Sequence, residues 1–250
     1  MKSCLLFSLL TLSTYMHSQF EWAQVIKVDS IGNRITGLIS NTGKIIIPPK
    51  YEYLTYYSKD SVFVYGLNGK AGFIDLNGNE LTEPIFDKIR LDDETGMYMV
   101  KSNGEYQFIN KLGAKIIGPL EFACRFINGK AYVVRDDFGE FINSKGETIE
   151  TTLFSDHKCD YNDGIDQEFE MDESSEQVTI PSGFSIKGKE GKLGVKNKNG
   201  QLIVPKEFDS IEFVNDKYIY AKKNKLTAVY GINGDLIIPI KYNVIYHFRN

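Results

Sequence analysis

Six short turns, each with a glycine at the same place, recur along this chain of 250 residues. The glycines are Gly43, Gly78, Gly113, Gly146, Gly200 and Gly234, and successive ones are 35, 35, 33, 54 and 34 residues apart. A nearly constant period of this length is typical of a repeat protein in which each unit forms one small supersecondary motif. The spacing therefore predicts about six similar units, with extra residues between the fourth and fifth glycines.

The residues around each turn predict β-structure. In the second unit, apolar Phe73 and then Asp75 precede Gly78. Glycine supplies the positive φ that a tight hairpin needs, and an Asx side chain can hydrogen-bond to the backbone within the turn. An apolar pair and usually a proline follow, and an aromatic residue comes eight or nine positions after the glycine. These repeat aromatics are Tyr51, Phe86, Phe122, Phe154, Phe208 and Tyr242.

A separate strand of alternating character precedes each turn, for example residues 62–65 and 218–221. One unit is therefore a three-strand meander with room for a short fourth strand, too small to bury its apolar face alone. We predict an all-β fold, a tandem array of hairpin or meander repeats of roughly 35 residues. Two arrangements remain open. A closed, propeller-like ring would pair residues 22–28 with the C-terminal unit, and an open twisted ribbon or solenoid would not.

Residues 1–19 have the pattern of a secretory signal peptide. Lys2 supplies the positive start, residues 4–12 are apolar, and the small residue Ser18 precedes Gln19 at the expected cleavage site. The alternative is a loose N-terminal strand of a cytosolic protein. Residues 20–250 are predicted to form one β-repeat domain, without a segment apolar enough to span a bilayer. These features predict a secreted or periplasmic protein.

Cys124 and Cys159 are the two cysteines beyond the predicted signal peptide. Export would permit a disulfide between them, and two buried free thiols are the alternative. The sequence has no pair of cysteines at metal-ligand spacing, so no metal site is predicted.

An acidic insertion at about residues 155–182 explains the long gap between turns. It carries nine Asp and Glu residues against Lys158 alone. Such a segment is typical of a solvated loop, and the alternatives are a calcium site or a docking surface for a basic partner. An EF-hand frame set on Gly164 fails, because Cys159 and Tyr161 would occupy ligand positions.

The repeated residues resemble the WG-repeat family, bacterial proteins with tandem β-type units. Residues 43–52, 200–209 and 234–242 follow the second half of the family pattern, an apolar run that leads to proline, an aromatic residue and an acid. The resemblance covers roughly residues 31–248 and implies an interaction or surface module without an established reaction. The tryptophan of the family pattern is absent from every unit. Its place is taken by Thr36, Ala71, Tyr106, Gly139, Leu193 and Thr227.

Two function hypotheses follow. The first is an exported, non-enzymatic scaffold that binds a protein or another cell-envelope macromolecule. Its candidate interaction surface consists of Tyr53, Tyr56, Tyr57 and Tyr65, although these side chains could instead pack the units together. The second is a carbohydrate-binding or glycoside-hydrolysing protein. It requires a cleft in which two carboxylates, one with a raised pKa, lie beside an exposed aromatic side chain.

Several function classes are not favoured. The net charge of −4, without a basic run, argues against nucleic-acid binding, which depends on Lys and Arg contacts to phosphates. No motif for nucleophilic or metal-dependent catalysis occurs, so we predict no catalytic residue and no cofactor.

Overall fold

The computed structural model describes residues 21–152, 159, 180–189 and 191–249. The predicted signal peptide, the repeat aromatic Phe154 and most of the acidic insertion lie outside the described residues.

The described residues form 22 strands in six antiparallel sheets and no helix, which confirms the predicted all-β repeat fold. Unit 1 contains β22 (Val244–Ile245), β1 (Trp22–Val28), β2 (Arg34–Ser40) and β3 (Ile45–Tyr51). Unit 2 contains β4 (Tyr53–Tyr57), β5 (Val62–Leu67) and β6 (Lys70–Asp75). Unit 3 contains β7 (Lys88–Leu91), β8 (Tyr98–Ser102), β9 (Glu105–Ile109) and β10 (Lys115–Leu120).

The other three units follow the same plan. Unit 4 contains β11 (Phe122–Ala123), β12 (Ala131–Arg135), β13 (Phe138–Ile142) and β14 (Thr148–Thr152). Unit 5 contains β15 (Ser185–Lys189), β16 (Lys192–Lys196) and β17 (Leu202–Phe208). Unit 6 contains β18 (Ser210–Val214), β19 (Tyr218–Lys223), β20 (Leu226–Gly231) and β21 (Leu236–Tyr242).

A complete unit is a meander of four strands, one more than the three that the sequence clearly marks. The first strand of a unit follows the fourth strand of the previous unit after one residue, such as Glu52 or Asp209. In unit 2 the fourth position is held by two isolated bridges, Ile74 with Glu80 and Ala71 with Phe86. In unit 5 the described residues supply no first strand.

The N-terminal and C-terminal strands belong to the same sheet. In β1, Val25 pairs with Ile245 and Ile26 with Val244, both in β22. Beyond this pairing, the Trp22 amide donates to the Arg249 carbonyl at 2.9 Å, and the Arg249 amide donates back at 2.7 Å. This pairing confirms the predicted contact between residues 22–28 and the C-terminal unit, and it favours the ring-like arrangement over the open ribbon.

A bulge in the fourth strand explains why glycine follows the tryptophan slot in unit 1. In unit 1, Thr36 pairs with Tyr51 but Leu38 already pairs with Ile47, so the prolines of β3 arch over Gly37. A Cβ atom on Gly37 would lie 2.5 Å from the Ile47 carbonyl oxygen and 2.6 Å from the Pro49 nitrogen. Only a residue without a side chain fits beneath this arch. The residue in the tryptophan slot faces the repeat aromatic across the two strands in units 1, 5 and 6, where Thr36 pairs with Tyr51, Leu193 with Phe208 and Thr227 with Tyr242.

The hydrophobic core lies between consecutive units. Five buried clusters join unit 1 to unit 2, unit 2 to unit 3, unit 3 to unit 4, unit 5 to unit 6, and unit 6 back to unit 1. Each unit therefore buries apolar residues against at least one neighbour, as expected for a repeat array, and no cluster of the described residues joins unit 4 to unit 5. The sixth cluster contains residues of unit 4 together with Cys159.

Candidate binding face

The six turn glycines share one backbone conformation. Their φ angles lie between +75° and +94°. In most of the turns an Asx side chain closes the bend: the Asp75 carboxylate accepts the amides of Asn77 at 2.9 Å and Asn79 at 2.8 Å. Burial alone would raise the pKa of Asp75, but hydrogen bonds from Asn79 and from the backbone outweigh it and lower this pKa. Asp75 is thus a structural turn residue.

Five of the six turns also contact the preceding unit. A Cβ atom added to Gly43 would lie 2.2 Å from the Ile237 carbonyl oxygen of unit 6, and one added to Gly78 would lie 2.8 Å from the Ile46 carbonyl oxygen of unit 1. Gly113, Gly146 and Gly234 likewise meet side chains of the unit before them. Gly200 differs, because a Cβ atom added there would have no described atom within 4 Å.

The repeat aromatics of the described residues are core residues. Tyr51, Phe86, Phe208 and Tyr242 are buried, and Phe122 is half-buried. The Tyr51 hydroxyl donates to Glu80 of unit 2 at 2.7 Å, and the Tyr65 hydroxyl donates to the Thr82 carbonyl at 2.9 Å. The hydrogen bond from Tyr51 holds the pKa of Glu80 below its ordinary value.

Three of the four tyrosines in the candidate interaction surface pack the units together, which is the alternative that the sequence left open. Tyr65 is fully buried and therefore cannot contact a partner. Tyr56 packs edge-on against Trp22 with ring centroids 4.9 Å apart, and Tyr57 packs against Tyr98 at 5.6 Å, so both join neighbouring units. Tyr53 remains exposed, and its ring lies over Gly66. These strands are buried on both faces although their residues alternate in character. Alternation with a period of two does not distinguish such a strand from one that has an exposed face.

A polar cleft of about 260 Å³ lies where the ring closes. Its lining residues are Glu21, Asn215, Lys217, Tyr218 and Phe248. The buried Glu21 carboxylate accepts a hydrogen bond from the Lys217 ammonium at 2.8 Å and another from the Tyr218 hydroxyl. Burial by itself would raise the pKa of Glu21, but these two donors lower it. Burial and the adjacent carboxylate raise the pKa of Tyr218 to about 12.

A second cleft, of about 320 Å³, lies between units 5 and 6. Phe184 and Ile232 supply apolar surface, while Asn197, Lys198 and Asn233 supply polar groups. Neither cleft matches the pair of facing carboxylates that the carbohydrate hypothesis requires, because the first contains Glu21 alone and the second contains no acid among its described lining residues.

Both clefts open at the same end of the sheets. In a four-strand antiparallel meander, the loops from first to second strand and from third to fourth strand lie at one end. We call this end the turn face. Lys217 belongs to a loop of the first kind, Glu21 and Phe248 lie at the same end because they precede β1 and follow β22, and Lys198 and Asn233 belong to the glycine turns. The turn face therefore contains the six glycine turns, both clefts and the place where the two ends of the chain meet.

A row of hairpin caps, which the sequence patterns above did not predict, links consecutive units. The residue between two units accepts a backbone amide from the hairpin of the unit that follows. The Asp87 carboxylate accepts the Asn103 amide at 3.0 Å, and the Asp209 carboxylate accepts the Asn224 amide at 2.9 Å. Glu52, Glu121 and Asn243 make the equivalent contacts. The sequence did contain a signal for these caps, because the family pattern places an acid directly after the repeat aromatic.

The two cysteines are joined by a disulfide in the structure, with their Cα atoms 5.7 Å apart. Cys124 lies in the loop between the first and second strands of unit 4, on the turn face. The bond therefore attaches Cys159, near the beginning of the acidic insertion, to this unit.

Neither a metal-binding cluster nor a membrane-spanning helix occurs within the described ranges. Residues 21–152, 159, 180–189 and 191–249 contain no group of three or more His, Cys, Asp or Glu side chains that could hold a metal ion. In this same part of the chain, no helix is long and apolar enough to cross a membrane.

Six stacked antiparallel meanders with a shared turn geometry define this chain as a β-repeat protein with propeller-like organisation. The family model for the WG containing repeat matches residues 37–70, 72–106, 194–226 and 230–250. The chain therefore carries WG-containing repeats in four places, which confirms the resemblance that its repeated residues indicated. No curated protein matches the sequence.

Solved structures with similarity to this chain are distant in sequence. The AfRom2 CNH domain is 9% identical, with 92% of this chain and 84% of that chain covered and a TM-score of 0.29. Hsv2p of Kluyveromyces lactis is 10% identical, with coverage of 80% and 69% and a TM-score of 0.32. A protein of unknown function from Bacteroides caccae is 11% identical, with coverage of 89% and 97% and a TM-score of 0.24.

Proposed function

We propose that this protein is an exported, non-enzymatic repeat scaffold that binds a protein or another cell-envelope macromolecule through its turn face. The observation that carries the proposal is the position of both clefts on this one face. A repeat array offers a continuous surface on which many small contacts can add up to specific binding. Proteins commonly place binding residues on loops that a rigid scaffold holds in position, and the turn face has this construction.

The chemistry of the turn face suits a polar macromolecular partner. The closure cleft presents the exposed ammonium of Lys217, whereas its counterion Glu21 is almost completely buried. The second cleft offers amide groups beside the ring of Phe184. Such a surface can form hydrogen bonds with a partner while small apolar areas are covered, which is typical of non-obligate interfaces.

Site-specific photocrosslinking in the native cell tests the choice of face. A photoreactive residue is placed at Lys145 or Lys198 on the turn face, and at Asp137 or Lys225 on the opposite face as matched exposed controls. We expect a discrete adduct from the turn-face positions, identification of its partner by mass spectrometry, and saturable binding of that purified partner. Adducts formed only from the control positions would contradict the proposal.

The export part of the proposal has a separate test. Residues 1–19 support it through their charged start, apolar centre and small residue before Gln19. N-terminal sequencing of the protein recovered from a cell-envelope fraction should begin at Gln19. Recovery of a chain that begins at Met1 from the cytosolic fraction would overturn export without bearing on the turn face.

A further inference from the structure

The residue two positions after the turn glycine differs between the two halves of the array. It begins the fourth strand or, in unit 2, takes the place of that strand. In units 5, 6 and 1 it is a large aliphatic residue that is 44–54% exposed, namely Leu202, Leu236 and Ile45. In units 2, 3 and 4 the same position is polar, namely Glu80, Lys115 and Thr148. We call Leu202, Leu236 and Ile45 the aliphatic stripe.

The members of the aliphatic stripe follow one another in space, because the glycine turn of one unit lies against the fourth strand of the unit before it. A Cβ atom added to Gly234 of unit 6 would lie 2.8 Å from the Cβ atom of Ile203, the neighbour of the stripe residue in unit 5. One added to Gly43 of unit 1 would lie 2.2 Å from the carbonyl oxygen of Ile237, the neighbour of the stripe residue in unit 6. Since packed sheets lie about 10 Å apart, the stripe is about 20 Å long.

Both clefts of the turn face adjoin the aliphatic stripe. The turns that precede its members in units 5 and 6 contribute Lys198 and Asn233 to the second cleft. In the turn that precedes Ile45, the Asn41 amide donates to the backbone carbonyl of Glu21 at 2.9 Å, and Glu21 lines the closure cleft. All the lining residues of both clefts belong to units 5, 6 and 1. This half of the turn face therefore combines exposed apolar side chains with polar recesses.

The exposed charges beside the stripe are mainly positive, although the whole chain carries a net charge of −4. In the described loops and turns of units 5, 6 and 1 on the turn face, the exposed cations are Lys44, Lys198, Lys217 and Arg249, and the exposed carboxylates are Asp216 and Asp235. In the described loops and turns of units 2, 3 and 4 on this face, the exposed lysines Lys59, Lys130 and Lys145 are balanced by Asp93, Glu94 and Glu147. A negatively charged partner would therefore be attracted to units 5, 6 and 1.

We propose that the partner of this scaffold is an acidic protein that binds across units 5, 6 and 1. Its apolar side chains cover the aliphatic stripe, and its carboxylates lie near Lys44 and Lys198. A protein fits this surface better than a polysaccharide, because aliphatic side chains gain most when other apolar side chains cover them, with polar contacts around the rim. This inference rests on the proposed function and names the class of partner and the half of the turn face that it covers.

Units 3 and 4 provide an internal control for this proposal. Folded proteins expose many single aliphatic side chains, so exposure alone does not mark a binding surface. Ile116 and Ile149 begin one position further along their fourth strands and are 47% and 56% exposed, which is close to the stripe residues. They belong to units that line neither cleft and that carry no surplus of exposed cations on the turn face. A partner that recognises the whole surface should therefore ignore these two side chains.

Photocrosslinking in the native cell tests the location and the class of partner. A photoreactive residue replaces Leu202 or Leu236, and Ile116 or Ile149 in the control. We expect an adduct that a protease removes from the first two positions and none from the control positions, and mass spectrometry should identify an acidic protein. A protease-resistant polysaccharide adduct, a basic protein, or equal adducts from all four positions would overturn this inference and leave the scaffold function intact. The absence of an adduct from every turn-face position would overturn both.

Binding of the identified protein to the purified full chain then tests the contacts. Leu202→Ser/Leu236→Ser should weaken the affinity by about ten-fold, whereas Ile116→Ser/Ile149→Ser should leave it unchanged. Thermal unfolding of both variants confirms that they fold, as expected for exposed positions. Lys44→Gln/Lys198→Gln should slow association and reduce its dependence on salt. Equal weakening by the two serine variants would refute the role of the stripe, and an association rate that does not respond to salt would refute an acidic partner.

Discussion

Two positions between consecutive units of this array differ in their chemistry. Between units 6 and 1, strands from the two ends of the chain pair directly, buried apolar residues fill the space, and the Gly43 turn lies against the backbone of Ile237. In unit 5, Ser185 and Lys187 occupy the positions that are apolar in the other units, and a Cβ atom added to Gly200 would have no described atom within 4 Å. The comparison teaches that sequence similarity between repeat units does not make their interfaces equivalent.

The largest expected difference concerns the residue five positions before the turn glycine. Phe108 is fully buried between units 3 and 4, whereas Phe141 is only half-buried beside the 4–5 junction. Phe108→Ala should lower the free energy of unfolding by about 3–5 kcal/mol, since it removes a large ring and leaves a cavity. Phe141→Ala should cost less than half as much in the same urea titration. Equal losses would show that the two junctions are equally well packed.

The turn glycines give a second matched pair. Gly43 and Gly200 have φ angles of +80° and +75°, so alanine at either position costs about 1–2 kcal/mol of backbone strain. At Gly43 the added Cβ would also collide with the Ile237 carbonyl oxygen, at 2.2 Å. Urea unfolding should therefore show a larger loss for Gly43→Ala than for Gly200→Ala. The reverse order would mean that the turn of unit 5 is the more tightly packed one.

The closure junction should also respond to pH. Hydrogen bonds lower the pKa of Glu21 in the folded protein, so their contribution to stability is present above the pKa of the unfolded chain and is lost as pH falls through the folded value. The pKa of Tyr218 is raised to about 12 in the folded protein. The stability that the neutral hydroxyl contributes is therefore present below pH 10 and is lost as the pH rises toward 12.

Glu21→Gln tests this interpretation. It should cost about 1–3 kcal/mol at neutral pH, because a buried charge-assisted hydrogen bond is weakened, and it should flatten the acid limb of the stability profile. The control Glu105→Gln alters an exposed hairpin residue of unit 3 and should leave the acid limb unchanged. A double-mutant cycle with Tyr218→Phe measures the coupling, and a value near zero would contradict the pairing.

The sequence predicted those structural elements that depend on residues close together in the chain. The turn glycines and the Asx residue before them depend on a few neighbouring residues, so their pattern could be read directly. The proline bulge was not predicted, because proline was expected to end the strand, whereas Pro48, Pro205 and Pro239 lie inside β3, β17 and β21. The pairing of residues 22–28 with the C-terminal unit was one of two arrangements that the sequence left open, and it would cover the unsatisfied edges at both ends of the array. The family assignment followed from the same residues.

Contacts between distant residues could not be read in this way. Glu21 and Tyr218 are 197 positions apart, and no pattern in either segment indicates that they meet. The alternation of its strand predicts Tyr65 at the surface, whereas the strand is buried on both faces by its neighbours. The polar character of Ser185 and Lys187 was visible, but its meaning required the register with β16, which places them at positions that are apolar and buried in the other units.

The smallest expected effect on stability comes from the hairpin caps. The caps Asp87 and Asp209 precede units 3 and 6, on either side of the junction between units 4 and 5. Asp87 accepts the Asn103 amide and pairs with Lys70 of the preceding unit, and Asp209 repeats this arrangement with Lys192 of unit 5. Hydrogen bonds from these lysines, as the largest cause, lower the pKa of both carboxylates. Asp87→Ala should lower the unfolding free energy by less than about 1 kcal/mol, because the pair is exposed and screened by solvent.

Asp209→Ala should act in the same direction, and added salt should reduce both losses. Thermal unfolding at low and high ionic strength measures them. If Asp209→Ala proved much more damaging than Asp87→Ala, the stability of unit 5 would depend on its cap to unit 6 and not on the junction with unit 4. The two sides of unit 5 would then differ even more than the packing indicates.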